Sequence, residues 1–391
     1  MIADAGDWLR DVLEEHASEL PFLWSQRTEA WRRPGFSVRA LGQHDERLDA
    51  HTDALSLARE EALPVLLPLM ESGDTYEVLS AACAMLRMGL ERVERDVLEL
   101  FGELAEDAVQ GFARAFAYTR ADLSRAPTPT PQHEAVVLRA LAQRGELEDT
   151  RRLSALLQHD EPEVRRHTWQ ALAFIGARSS LRWRDVFEGA MEDEPSLRRL
   201  ALRTFAWSRQ KWLLAELRRV VDGQAPGRPE ALELLSVLGT AEDAPRIREA
   251  LADKALGPER FFLAGRLGNP KLMGLLLSAM ESEDTLAAAC AATAFRTMTG
   301  VLVESGQLIE LDDGQIPIPD VALAKVRWQE MERSFEKSTR LCYGVEVQQG
   351  LPADALPLFD LISLSDGRLR DFFHGRWEGG PTVLEAFPYR G

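Results

Sequence analysis

The sequence predicts an all-α fold: an α-solenoid of stacked helix pairs, wound as a right-handed superhelix with atypical ends and one short irregular insertion. Three observations predict it. The stretch Leu153–Gly176, LSALLQHDEPEVRRHTWQALAFIG, reads as a complete helix–turn–helix unit. Its turn recurs one period later, where Asp193-Glu194-Pro195-Ser196-Leu197-Arg198-Arg199 copies Asp160-Glu161-Pro162-Glu163-Val164-Arg165-Arg166. Small residues suited to ending a helix recur at Gly145, Gly176, Ser208, Gly239, Gly268 and Gly300, every 29 to 32 positions.

Within the unit, each position has a physical reason. Pro162 suits the first turn of a helix, where its missing N–H has no partner to lose. Asp160 and Glu161 sit at the positive end of the helix dipole, and Gly176 permits the left-handed stop. Val164, Thr168, Ala171, Leu172 and Ile175 follow the spacing of a buried stripe.

In chain order, residues 1–61 read as an N-terminal helical cap. An amphipathic helix is expected over Asp7–Leu20, with Trp8, Leu9, Val12 and Leu13 on its apolar side. An aromatic-rich helix follows over Phe22–Trp31, then the Arg32-Arg33-Pro34-Gly35 break and a helix over Gln43–Glu61. A terminal unit has one face without a neighbour, so it departs from the repeat. Residues 62–130 hold the first repeats, LPVLLPLMESGDTYEVLSAACAMLRMG and a degenerate pair over Val93–Tyr118, and end in a loop. That loop carries Pro127, Pro129 and Pro131, which cannot continue a helix.

Residues 131–300 form the regular array, with Pro229, Pro258 and Asp284 starting later second helices. Residues 301–391 contain an irregular or hairpin insertion over Val301–Asp320, a helix over Val321–Lys337 and capping helices over Asp354–Tyr389 with the turn Ser365-Asp366-Gly367.

Composition narrows the function. The formal net charge of −17 repels phosphate backbones and anionic lipid as a whole. It favours a basic protein partner, with no nucleic acid and no membrane. The three cysteines are far apart; Cys83 and Cys290 fall in alanine-rich helices, which assigns them buried small-side-chain roles and suits a reducing cytoplasm. No basic region with an apolar run opens the chain, and no apolar span approaches the ~20 residues that cross a bilayer.

Certain motifs resemble a known group. The DEPEVRRHTWQALAFIG unit resembles the HEAT-like repeats also seen in phycobilin lyase families. More narrowly, the chain is similar to a bacterial family of HEAT-repeat proteins of unassigned activity, several of them encoded beside type VI secretion clusters. The shared pattern comprises Phe22, Leu23, Trp24 and Arg27, HDERLDAHTDAL (His44–Leu55), LAAACAATAFRTMTG (Leu286–Gly300) and the region from Ile318-Pro319-Asp320 to Trp328. The C-terminal DGRLRDFFHGRW keeps a loose form of it. The resemblance implies a scaffold or binding protein of the secretion context and supplies no catalytic residues.

Several residue patterns bear on that expectation. His44 and His51, with Asp45, Glu46 and Asp49 between them, come nearest to a metal cluster, but i and i+7 lie ~10 Å apart on a helix. One ion needs its ligands within ~2.0–2.2 Å, so this stretch reads as a polar cap helix and no metal or other cofactor is expected. Arg165, Arg166, Arg198 and Arg199 repeat in successive units. They read either as Asp–Arg ties between turns or as a basic ladder that grips a partner's acidic groups. Among the clustered Trp169, Trp183, Trp207 and Trp212, Trp169 lies off the buried stripe and is a candidate groove residue, while Trp207 reads as core. One of the adjacent Phe261 and Phe262 faces outward, and Phe262 is taken as the contact residue.

The expected function is therefore non-enzymatic: a cytoplasmic adaptor or immunity protein that binds a secreted effector or a secretion-spike component. The rivals are a repeat-fold enzyme, bilin-lyase-like or DNA-glycosylase-like, and a purely structural assembly component. No GxSxG, Walker, HExxH or GxGxxG pattern occurs.

Overall fold

Helix α1, Ala5–Glu29, runs straight through Pro21. The computed structural model describes residues 5–347 apart from 30–37, 105, 177, 178, 180, 224, 225, 312, 313 and 336–338. The expected Arg32–Gly35 break, the capping helices over Asp354–Tyr389 and the Ser365–Gly367 turn lie outside the described residues.

The two helices expected on either side of Pro21 are thus one. An interior proline costs a helix about 3 kcal/mol, but Leu13, Ala17, Leu20 and Trp24 form a single seam across it, all buried. That seam packs on α2, Val38–Ala58, and on α4, Thr75–Arg87. Trp8, expected on the apolar side, is 66% exposed, because the seam begins at Leu13 and leaves the first turns outside it.

Helix α3, Leu63–Glu71, precedes α4, whose first N–H groups (Tyr76 and Glu77) are accepted by the Asp74 carboxylate. Every residue from Val78 to Leu86 is buried, so α4 is covered all round. Helices α5, Glu91–Glu103, and α6, Glu106–Tyr118, form the degenerate pair. The proline loop then takes the place of a first helix. It rests on α5 so closely that a Cβ at Gly102 would lie 2.8 Å from Pro127.

The regular stretch opens with α7, Pro131–Arg144, with Thr130 capping the start and Gly145 left-handed at the end. Four pairs follow, the first helix shorter than the second in all but the last. They are α8, Arg151–Leu156, with α9, Pro162–Ile175; α10, Phe187–Glu192, with α11, Pro195–Trp207; α12, Leu213–Asp222, with α13, Arg228–Leu238; and α14, Ala244–Ala252, with α15, Phe261–Leu267. In the last of these, Pro258 begins a 3-10 turn rather than the second helix itself. Helices α16, Met273–Met280, and α17, Thr285–Thr299, complete the stretch, and Asp284 caps α17.

Second helices pack on one another in sequence, α4 on α6, α6 on α7, α7 on α9, and so on through α11, α13, α15 and α17. The buried apolar residues form two large clusters that meet on α7. One reaches from Leu13 to Ala140, the other from Ala142 to Cys342.

The Val301–Asp320 insertion is a hairpin of β1, Glu304–Leu311, and β2, Gly314–Pro319, antiparallel with a register shift between Glu304 and Leu308. Asp320 caps α18, Val321–Glu332, which ends earlier than its apolar pattern predicts and buries Trp328. A last small hairpin pairs β3, Leu341–Cys342, with β4, Val345–Glu346. The chain is thus predominantly helical, with two small antiparallel sheets among the described residues.

That final segment binds the C-terminal ends of three second helices. Arg340 donates to the carbonyls of Ser236 and Gly239 at the end of α13 and of Arg266 and Leu267 at the end of α15, at 2.9–3.3 Å. Leu341 N–H donates to Gly268 O, and those of Tyr343 and Gly344 donate to Thr297 and Met298 O of α17. Helix C-termini carry unpaired carbonyls and partial negative charge, so a guanidinium suits them.

Candidate functional site

The candidate contact residues singled out by the sequence lie on the second helices α9, α11 and α15. Arg165 lies at the turn. Its guanidinium forks onto Asp193 at 2.9 and 3.0 Å, and Nη1 donates to the carbonyls of His159 and Asp160. The bond to Asp193 holds its pKa above the usual arginine value. Arg198 repeats the arrangement one unit on, donating to Asp193 O, Pro226 O and the Glu230 carboxylate, and it is buried. Arg166 pairs with Glu163 at 2.9 Å and reaches Glu194 and Ser196. Arg199 forks onto Glu233 at 2.7 and 3.0 Å, which raises its pKa.

These four arginines are ties between successive units. The reading of Arg165 and Arg198 as a ladder offered to a partner is corrected, because their guanidinium groups bond carbonyls of their own turn and carboxylates of the next unit, with Arg198 Nε buried and unpartnered. Arg166 and Arg199 stay at the surface, each beside its acid.

Trp169 does not face a groove. It is 3% exposed and meets the Phe205 ring edge-on at 5.5 Å. The reason is that α9 lies between α7 and α11, so its flanks are covered as well as the stripe that faces its own first helix. Phe205 gathers Trp183, Phe187 and Trp212 around it at 5.4–5.8 Å, and Trp207 is buried too. Of the two phenylalanines, Phe261 is buried beneath the Arg260 guanidinium at 4.5 Å. Phe262 is half-buried and borders a hollow of 110 Å³ with Pro229, Leu232, Glu233 and Arg266.

Elsewhere the candidate chemistry resolves into packing. His44 Nε2 lies 2.8 Å from Leu23 O, and the adjacent Asp45 forms a buried ion pair with Arg27. His51 meets His16 instead, Nδ1 to Nδ1 at 3.0 Å. Among the described residues no three His, Cys, Asp or Glu side chains are placed to share a metal ion. Cys83, Cys290 and Cys342 are buried free thiols, and burial pushes Cys290 up to about 11 and Cys342 up to about 12. Thiolate chemistry is therefore disfavoured at both.

Four residues that sequence reasoning passed over meet near the junction of the two cores. Arg139 of α7 places Nη1 3.2 Å from His167 Nδ1 of α9, while its Nε is sealed from solvent with no hydrogen-bond partner. Burial, then the charge of Arg114, lowers Arg139 to about 9. Burial, then Arg139 and Arg166, lowers His167 to about 3, so the imidazole is neutral at pH 7. Gln170 lies beside it, yet neither Gln170 Oε1 nor His167 Nε2 has a well-formed hydrogen bond. Arg114 of α6 donates to Thr28 Oγ1 at 2.6 Å and lies over the Tyr76 ring at 5.8 Å. The available signal was a lone arginine inside the apolar run AVVLRALA.

No family model, curated protein or solved structure matches the chain. The geometry of these second helices therefore carries the functional reading. They present the Arg166–Glu163 and Arg199–Glu233 ion pairs and the half-buried Phe262.

Proposed function

We propose that the chain is an α-solenoid, a right-handed superhelix of HEAT-like helix pairs, that binds another protein along its second-helix side. The observation that carries this reading is the unbroken packing of second helix on second helix from α4 to α17. Stacking of this kind produces a broad extended surface in which each unit adds one strip of contact. On it Phe262, half-buried beside a hollow, is the aromatic anchor, since aromatic residues in partly enclosed positions dominate binding energy. Arg166 and Arg199 form the polar surround. The net charge of −17 favours a basic partner at long range. The resemblance of the repeat motifs gives the context: a cytoplasmic adaptor or immunity protein of a type VI secretion locus, binding an effector or its carrier.

The test is affinity capture with the full chain as bait in its native cell. The expected result is a second protein in stoichiometric amount, retained at least tenfold less by Phe262→Glu. Recovery of the bait alone would replace this reading with a structural assembly role.

A further inference from the structure

We propose that Arg139, with Arg114 beside it, is the seat for a carboxylate of the bound polypeptide, on the second-helix side between α6 and α9. The inference rests on the protein-binding reading above and assigns one point of its partner chemistry.

It starts from an exception. The other well-buried arginines each have their charge answered: Arg27 by Asp45, Arg198 by Glu230, Arg228 by Asp253, and Arg340 by four helix-end carbonyls. Among the described residues no carboxylate pairs with Arg139. Its one hydrogen-bond contact among the described residues is a neutral imidazole nitrogen; its Nε is unpartnered, as are those of Arg198 and Arg228. Arg114 has no carboxylate either among the described residues, and meets a hydroxyl and a ring face. The nearby carboxylate of Glu163 is already taken by Arg166 Nε and Gln110 Nε2.

Two guanidinium groups are thus held close enough to repel, inside a chain with an excess of acid. A desolvated charge without a counter-charge disfavours the fold. A carboxylate arriving at the part of Arg139 that reaches the surface would relieve that repulsion. Guanidinium and carboxylate also match in planar, forked geometry. Arg139 keeps part of its side chain at the surface, so the seat is reachable.

The test uses the full chain, thermal melting at fixed ionic strength, and hexaglutamate as the probe, with hexaglutamine and inorganic phosphate as controls. Hexaglutamate is expected to raise Tm saturably, with at least tenfold weaker apparent affinity in Arg139→Met. Arg139→Met without ligand is expected to melt no lower than the native chain, since removing an unanswered buried charge relieves the fold. A lower Tm together with an unchanged hexaglutamate response overturns the proposal, and so does a response to phosphate but not to hexaglutamate.

Should Arg139→Met not fold, the His167 imidazole of the native chain reports instead. At pH 7, where the glutamates are ionised, hexaglutamate is expected to move the His167 ring resonances saturably in the NMR spectrum, and no movement at saturating hexaglutamate overturns the proposal. Partner capture undiminished by Arg139→Met but lost in Phe262→Glu defeats this seat alone, whereas no capture by the native chain defeats the binding reading itself.

Discussion

At the residue scale, His167 links burial to pH. Its folded pKa of about 3 lies below the ordinary histidine value of about 6.5. The unfolded chain therefore takes up the proton first as pH falls. Stability from this group is intact above pH ~6.5 and declines below it, down to about 3. Between pH 6.5 and 5 the loss amounts to about 2 kcal/mol, at 1.36 kcal/mol per unit. His51, lowered by burial and by His16, acts in the same direction. Urea unfolding at pH 7 and pH 5 checks this: His167→Gln is expected to remove about 2 kcal/mol of the pH dependence, and an unchanged slope would contradict the assignment. The sequence did not announce this histidine. It stands in the second-helix segment beside residues of the apolar stripe, and its neighbour Arg139 lies 28 positions earlier on another helix. Single-helix periodicity reports which face meets the partner helix within a unit, and it is silent about flanks covered by adjacent units. Trp169 was misplaced for the same reason.

Helix ends were legible one by one. Pro162, Pro195, Asp284 and Gly300 act through the nearest few peptide groups, and the structure uses them where the sequence places them. What meets those ends was not legible. Gly268 closes α15 at φ +66°, and a Cβ there would collide with the carbonyl of Leu341, more than seventy positions on. Gly268→Ala is expected to destabilise by about 2–4 kcal/mol, from left-handed strain of about 1–2 kcal/mol and displacement of the 2.7 Å bond from Leu341 N–H. Gly274, exposed in α16 with open space around its Cα, is the control. Gly274→Ala is expected to stabilise by about 0.5–1 kcal/mol, because the helix is retained and the unfolded chain loses freedom. Chemical denaturation of the two variants side by side checks both signs. Pro21 shows the opposite case, in which a strong local breaker is overruled by a seam of buried side chains on both sides of it.

For the whole molecule, the two cores meet at α7 and the far end is fastened by Arg340. Arg340→Met removes donors to four carbonyls on two helices. At a net ~1 kcal/mol per bond, offset by relief of a desolvated charge, the expected loss is about 2–3 kcal/mol. Hydrogen exchange checks where it falls. Amides at the ends of α13, α15 and α17 are expected to exchange faster, while those of α4 and α6 stay protected, since opening spreads by neighbouring contacts. Uniform acceleration would mean that the fastening serves the entire chain rather than one end.

Arg340 also sets a timetable. It is translated 101 residues after Gly239, whose carbonyl it seals. At about 5–20 residues per second, roughly 5–20 s separate the two during synthesis. Throughout that interval the nascent α13 terminus presents a bare carbonyl edge, open to whatever else in the cell carries a spare cation.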